Sequence, residues 1–589
     1  LATSVRFHEN QVIIRTTSLE WGSVDKVLDS GLFRTILSNF LKKLRDNRSE
    51  FLSILPKHPK EQEDLTLLCI KKLAKADRDT VLRSNPELKS LLADTYLLDR
   101  LVEAFYNYWR GHERYLICLS DPKVGGNGDI DHRPYRTFND TIEKLNHIVR
   151  KIYRDLQENI TGEHPIIYRQ VPAGCTVGTI AKEISLPLPE QYSKLNKVPV
   201  IRQVLLNPPI IVNPTMNKRS GTFRLVNSNP LDGEGLDPAQ WLCFPAKVGK
   251  LTVYLYFHEF YTGLAISTSN LFELCNDEDL RKAPDAIYVY GAPLKIFEKF
   301  APDRTVFFDD EKNNLMVGAI PLGREYGFFG YIKKMMLTLH NSIMIKRGLM
   351  PIHGAMVRIT LKGGEKANVI LVGDSGAGKS ESIEAFRTLS GENLRELKIV
   401  FDDMGSLELG EDRKINAYGT ETGAFVRIDD LESGYVYGQL DRLITMIPKE
   451  KVNARVIVPI TTLKEVQHGW PVDYFLYANN YETPKGGNYI ERFKSAGDAM
   501  PVFKEGKRLA KGTTHEVGLT MTYYSNPFGP VQLMEEHEAL AGKYFNAMFD
   551  SGIYVGQLRT QLGLAGMETR GPQEAAKALF ALISKGKKR

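Results

Sequence analysis

In the first 164 residues, apolar positions recur three and four apart, as in "GLFRTILSNFLKKL" and "TYLLDRLVEAFYNYW". That spacing gathers them on one face of an α-helix, so this region is expected to be mostly helical. It closes on the long polar helix "FNDTIEKLNHIVRKIYRDLQ", and the glycine-rich "DPKVGGNGDIDHRP" before it is expected to form an exposed loop. From 165 to 330 the pattern changes. Short apolar runs such as "LTVYLYF" and "DAIYVYG" alternate with segments rich in proline and glycine, which predicts a mixed α/β domain built on a sheet. From 331 to 589 strand-like runs alternate with helical patterns, which predicts an α/β nucleotide-binding domain.

Composition narrows the function classes. Apolar residues make up 42% and charged residues 25%, and no apolar run is long enough to span a bilayer, so a membrane protein is not expected. The net charge of +6 is a small excess of 77 basic over 71 acidic residues and gives no reason to expect a nucleic-acid partner. Cys69, Cys118, Cys175, Cys243 and Cys275 have no CxxC spacing, which argues against a disulfide framework or a structural zinc and points to a reducing compartment. The first residues lack the charged and apolar regions of a secretory signal, and the chain is expected to be cytoplasmic. The basic end "KGKKR" reads as a solvated tail.

The chemistry is concentrated in "NVILVGDSGAGKSESIEAFRTL". Gly373, Asp374, Ser375, Gly376, Ala377, Gly378, Lys379 and Ser380 fit the P-loop pattern, with the strand "NVILV" before them and the helix "SESIEAFRTL", whose second residue is Glu381, after them. Glycines let backbone N–H groups converge on phosphate oxygens, Lys379 reaches the outer phosphates and Ser380 suits magnesium. Downstream, "LKIVFDDMGSLEL" ends a strand at Asp402 and Asp403, where two carboxylates suit a divalent ion bridging the phosphates. Upstream, Met335, Met336, Leu339, Ile343 and Met344 give a helix its apolar face; the helix is expected to end at Gly348 and deliver His353 onto the next strand. His340 within that helix reads as a packed residue.

This order of a Lys-Lys pair, a histidine, a P-loop, an Asp-Asp pair and an arginine before a strand resembles phosphoenolpyruvate carboxykinase over about residues 321 to 580. Lys334 precedes His353 by 19 residues, the spacing in that family. The resemblance implies a manganese held by Lys334, His353 and Asp403, a nucleotide magnesium on Ser380, and Ser375 contacting substrate. "VNARVIVPI" resembles "NTRVSYPI", which makes Arg455 the charge clamp on substrate and transferred phosphoryl group. "YFLYANN" resembles "IFLTADA", and "METRGPQEAAKAL" resembles "IKDTRAIIDAIL", which puts Arg570 at the nucleotide base. "NKRSGTFRL" offers Arg219 for a substrate carboxylate, and Phe328 stands where the family has a substrate-contacting tyrosine. The segment around His515 resembles "AKLAGTERG", with His515 read as structural, and "PFGP" resembles "CFGAAF" and reads as a turn.

Two spellings, "HGAMV" and "GDSGAGKSE", are similar to the HPr kinase/phosphorylase branch of the same superfamily, in which an acid equivalent to Asp402 or Asp403 serves as a general base. The expected fold is thus an α/β, carboxykinase-like P-loop domain preceded by a mixed α/β domain and a helical region. The expected activity is metal-dependent phosphoryl transfer with ATP or another nucleoside triphosphate, Mg2+ and Mn2+, to a small anionic carboxylate substrate, making phosphoenolpyruvate from oxaloacetate. A kinase acting on a protein or small-molecule hydroxyl, and an inactive nucleotide-binding scaffold, are the alternatives.

Overall fold

The computed structural model describes residues 3–17, 21–120, 133–232, 234–374, 376–388, 394–428, 437–510 and 518–585. The chain is mixed α/β and groups into two compact units, residues 1–184 with 199–211, and residues 185–198 with 212–589. Most of "DPKVGGNGDIDHRP", together with Ser375 and His515, lies outside the described residues.

In the first unit the expected helices form: Gly31–Asp46, Pro59–Leu73, Thr95–Arg110 and Arg133–Thr161. Ser30 and Asp94 cap two of them by accepting from the backbone N–H groups of Phe33 and Leu97. Leu37, Phe40 and Leu41 from one helix meet Leu98, Leu101 and Val102 from another in a single apolar cluster. The region is less purely helical than its periodicity suggests. Strands Ser4–His8, Gln11–Thr16 and Glu113–Ser120 also lie here, and Val177–Lys182 and Val200–Leu206 continue their sheet. Their side chains are buried nearly continuously in "VIIR" and "YLI", so no two-residue alternation marks them in the sequence.

In the second unit, "LTVYLYF" and "DAIYVYG" become neighbouring parallel strands, Leu251–His258 and Ala286–Ala292, within a sheet that also holds Trp241–Val248, Leu315–Pro321, Val306–Asp310 and Arg224–Val226. A second sheet carries the P-loop strand, Lys366–Val372, between the antiparallel Met350–Leu361 and the parallel Tyr474–Asn479, with Tyr554–Arg559 beyond. Alternation along "YFL" splits its side chains. Phe475 joins one apolar cluster with Phe503 and Phe545, while Tyr474 and Leu476 join another with Phe386 and Phe580. Burial of each such side chain contributes roughly 1.5–3 kcal/mol, so both faces of this sheet are covered and its strand ends are left for chemistry.

The helix Phe329–Lys346 is buried along almost its whole length. Met335 and Leu339 press on Gly318 of the first sheet, where a Cβ would come within 3.2 Å of Met335. Asn341, on the same helix, donates to the Phe528 carbonyl. Gly348, with φ +76°, reverses the chain after the helix, as expected, and Met350–Leu361 follows with His353 near its start.

Candidate functional site

The strand Met350–Leu361 pairs with Met404–Leu409 so that His353 lies opposite Met404, directly after the Asp402–Asp403 turn. Asp403 has φ +104°, a conformation an L side chain rarely adopts, and its carbonyl accepts from the Gly354 N–H at 2.9 Å. Such backbone strain persists only where surroundings hold it, and it is common at functional sites.

Three side chains meet the Asp403 carboxylate. Lys333 Nζ and Lys334 Nζ both lie 2.7 Å from Oδ2, and His353 Nε2 lies 2.8 Å from Oδ1. Lys333 and Lys334 are adjacent on one helix and differ in surroundings. Lys333 is 3% exposed and also faces Glu421 Oε1 at 3.3 Å; these two carboxylates outweigh burial and hold it well above the usual lysine range. Lys334 is pulled down, first by burial and then by the neighbouring Lys333 charge, against the attraction of Asp403. Asp403 itself lies well below the ordinary carboxylate range, because the two lysines and His353 overcome the cost of its burial.

His353 decides what this cluster accepts. Its Nδ1 lies 2.5 Å from the Ser525 carbonyl and its Nε2 2.8 Å from Asp403 Oδ1, so each ring nitrogen faces an acceptor, while burial and then the Lys379 charge lower its pKa. With its proton on Nδ1 the ring would turn an Nε2 lone pair toward Asp403 Oδ1, and a cation between the two would satisfy both. An amine, an imidazole and a carboxylate would be the donors offered to a divalent ion there, of which the carboxylate is the one that suits a hard ion such as Mn2+. Lys334, His353 and Asp403 are the residues that would hold the implied metal; among the described residues no group of three His, Cys, Asp or Glu side chains could hold one.

The P-loop lies on the next strand end, and the Gly373 N–H donates to the His353 carbonyl at 3.0 Å. Gly376 and Gly378 take φ +79° and +99°, which glycine alone adopts without strain. A Cβ on Gly378 would also meet Thr560 at 2.6 Å. Thr560 Oγ1 donates to the Ala377 carbonyl at 3.0 Å, and Asn480 Nδ2 to the Gly376 carbonyl at 2.9 Å. Lys379 is buried and donates to the Gly373 carbonyl; burial lowers its pKa, opposed by Asp403, Asp374, Asp402 and Glu381. Lys379 opens the helix Lys379–Thr388, which also takes in Ser380 and Glu381. Asp402 is buried beside Asp403.

The remaining candidates spread around this centre. Arg219 stacks on Phe223 at 4.8 Å and on Phe528 at 5.6 Å; Lys334 lies 4.7 Å from the same Phe528 ring, so one aromatic platform joins them. Burial lowers the Arg219 pKa. Arg455 stacks on Phe425 at 4.9 Å, and Phe425 touches Phe328 and Phe329 at the start of the lysine helix. Arg570 is exposed at the start of the helix Arg570–Ser584; its neighbour Gly571 packs against Thr560, the residue that braces the loop.

Sequence reasoning missed several contributors. Phe528 belongs to the "PFGP" segment read as a turn, yet it carries two cations. Glu421 in "GTETG" gave no signal, although it is fully buried and flanks Lys333. Paired lysines on a helix usually mark its wet face, whereas here Lys333 faces inward. Arg508 and Asn480 bind the P-loop from segments distant in sequence.

No protein-family model matches the chain, and no curated protein sequence matches it.

Proposed function

We propose that the chain is an ATP-dependent, carboxykinase-type enzyme that converts oxaloacetate to phosphoenolpyruvate, releasing ADP and CO2, with Mg2+ and Mn2+ as cofactors. The observation that carries this reading is the convergence of Lys334 and His353 on Asp403, directly beside the P-loop.

In this reading the P-loop amides and Lys379 bind the nucleotide phosphates, and Ser375 and Ser380 complete that contact on the substrate and magnesium sides. Lys334, His353 and Asp403 would hold the second ion, which when bound stabilises negative charge on the enolate oxygen. The C–C bond to the departing carboxylate breaks, CO2 leaves, and the enolate oxygen takes the γ-phosphoryl group. Arg219 and Arg455 offset the charge of the carboxylate substrate and of the transferring group. Phe328 and Phe425 cover that end of the site with apolar surface and exclude water. Arg570 contacts the base. One feature supports Lys334 over Lys333 as the metal-binding amine. Its pKa is lowered, and a metal-binding amine must be neutral.

A kinase acting on a protein or small-molecule hydroxyl is the second reading, favoured by Phe328 in place of a hydroxyl-bearing residue. Asp403 is a poor general base because its pKa is held far down, which leaves Asp402 for that role. The unpaired state of all five cysteines supports a reducing, cytoplasmic setting, and among the described residues no helix is long and apolar enough to cross a membrane.

The test is to supply ATP, Mg2+ and Mn2+ with and without oxaloacetate and to follow phosphoenolpyruvate and ADP. Oxaloacetate-dependent formation of both products is expected. ADP release without phosphoenolpyruvate under every metal condition would transfer the case to the kinase reading.

A further inference from the structure

Asp374 places a carboxylate inside the loop that must receive a polyphosphate, where a bare negative charge would oppose binding. The carboxylate is 12% exposed, and its surroundings are specific. Asp374 Oδ2 accepts from Arg508 Nε at 3.1 Å and from Thr522 Oγ1 at 3.1 Å, while its Oδ1 lies 3.6 Å from His353 Nδ1. Arg508 is 2% exposed and comes from the short strand Lys507–Leu509, which pairs with Leu519–Met521. The same hairpin grips the loop a second time. Asn480 Nδ2 donates to the carbonyls of both Gly376 and Leu509, and Asn480 Oδ1 accepts from the Leu509 N–H at 2.9 Å.

We propose that Arg508 is a positioning residue that masks the Asp374 charge and thereby sets the affinity of the loop for the nucleotide polyphosphate. A buried guanidinium beside a carboxylate neutralises it where water cannot, so the phosphates meet a loop whose net charge is set by Lys379. The Thr522 hydroxyl fixes the carboxylate from the other side, and the Asn480 bridge keeps the hairpin in register with Gly376. The masking acts through Asp374, and Arg508 itself needs no contact with the nucleotide. This inference rests on reading the loop as a nucleotide-phosphate cradle.

The test measures binding of Mg·ADP by calorimetry at low ionic strength to the full chain and three variants. Arg508→Gln is expected to weaken binding at least about tenfold by leaving Asp374 uncompensated. Asp374→Asn, which keeps an oxygen for Arg508 and Thr522, is expected to tighten binding about threefold. The double variant is expected to return to within about threefold of the unaltered protein, a rescue that a purely structural arginine would not give. A double variant as weak as Arg508→Gln, or an Asp374→Asn variant weaker than the unaltered protein, would overturn the proposal. Asp374→Asn keeps the question decidable where Arg508→Gln fails to fold. An unaltered chain that binds no Mg·ADP would overturn the phosphate-cradle reading itself, an outcome distinct from failure of the masking role.

Discussion

Both units of the molecule bury positive charge, and they do so in opposite ways. In the first unit Arg114 is 5% exposed and donates to five carbonyls, those of Trp109, Arg110, His112, Pro172 and Gly174. Burial lowers its pKa to about 10, and neutral carbonyls occupy its donors. In the second unit Lys333, Lys334 and His353 share one carboxylate, Asp403, with Glu421 in reserve. The arginine is saturated and ties chain segments together. In the lysine cluster three side chains crowd the one Asp403 carboxylate, so a ligand can take the place of a partner. Burial alone is therefore a poor guide to function; the supply of partners around the buried charge separates scaffold from site.

Substitutions can break this contrast. The largest effect is expected for Lys334→Ala, which should lower the rate of phosphoenolpyruvate formation about a thousandfold, or roughly 4 kcal/mol, while thermal unfolding changes little. Lys333→Ala should act chiefly on stability, with a loss of about 3 kcal/mol in denaturant unfolding, because the buried Glu421 and the half-buried Asp403 lose their permanent counter-charge. If Lys333→Ala and Lys334→Ala were equally tolerated in the rate assay, the division between the two lysines would be wrong. Arg114→Met should cost about 2 kcal/mol of stability by stranding buried carbonyls and leave the rate per folded molecule unaltered.

The smallest effect sharpens the comparison through pH. Burial raises Glu421 to about 7, against the attraction of Lys333. A carboxyl with a raised folded-state pKa binds more protons folded than unfolded. Its contribution is thus fully present below its ordinary pKa of 4.5 and is lost as pH rises toward about 7. Unfolding curves of Glu421→Gln and of the unaltered chain should therefore diverge in favour of the variant across that window, by on the order of 1 kcal/mol per pH unit. His340 and His537, each lowered to about 4 by burial, act in the opposite direction in both proteins and cancel in the difference.

The sequence showed the site's local pieces and concealed its long-range ones. The P-loop was readable because glycine, lysine and serine at fixed spacing follow from backbone geometry within eight residues. The strand carrying His353 was readable because Gly348 and Met350–Leu361 obey local rules. The strands around Arg114 were hidden because both of their faces are buried and no alternation survives. Glu421, Arg508 and Phe528 were hidden for another reason. Each acts across the fold on a residue more than eighty positions away, and nothing in its own neighbourhood requires it.

We propose that the Asp403 carboxylate beside the P-loop, shared by Lys334 and His353, is part of a divalent-ion site. Titration of the full chain with Mn2+, followed by electron paramagnetic resonance without nucleotide, tests it most directly. About one ion per chain is expected to bind the unaltered protein, and His353→Ala is expected to abolish that binding with the fold intact by circular dichroism. Undiminished Mn2+ binding in His353→Ala, or no binding in the unaltered chain, would contradict the account.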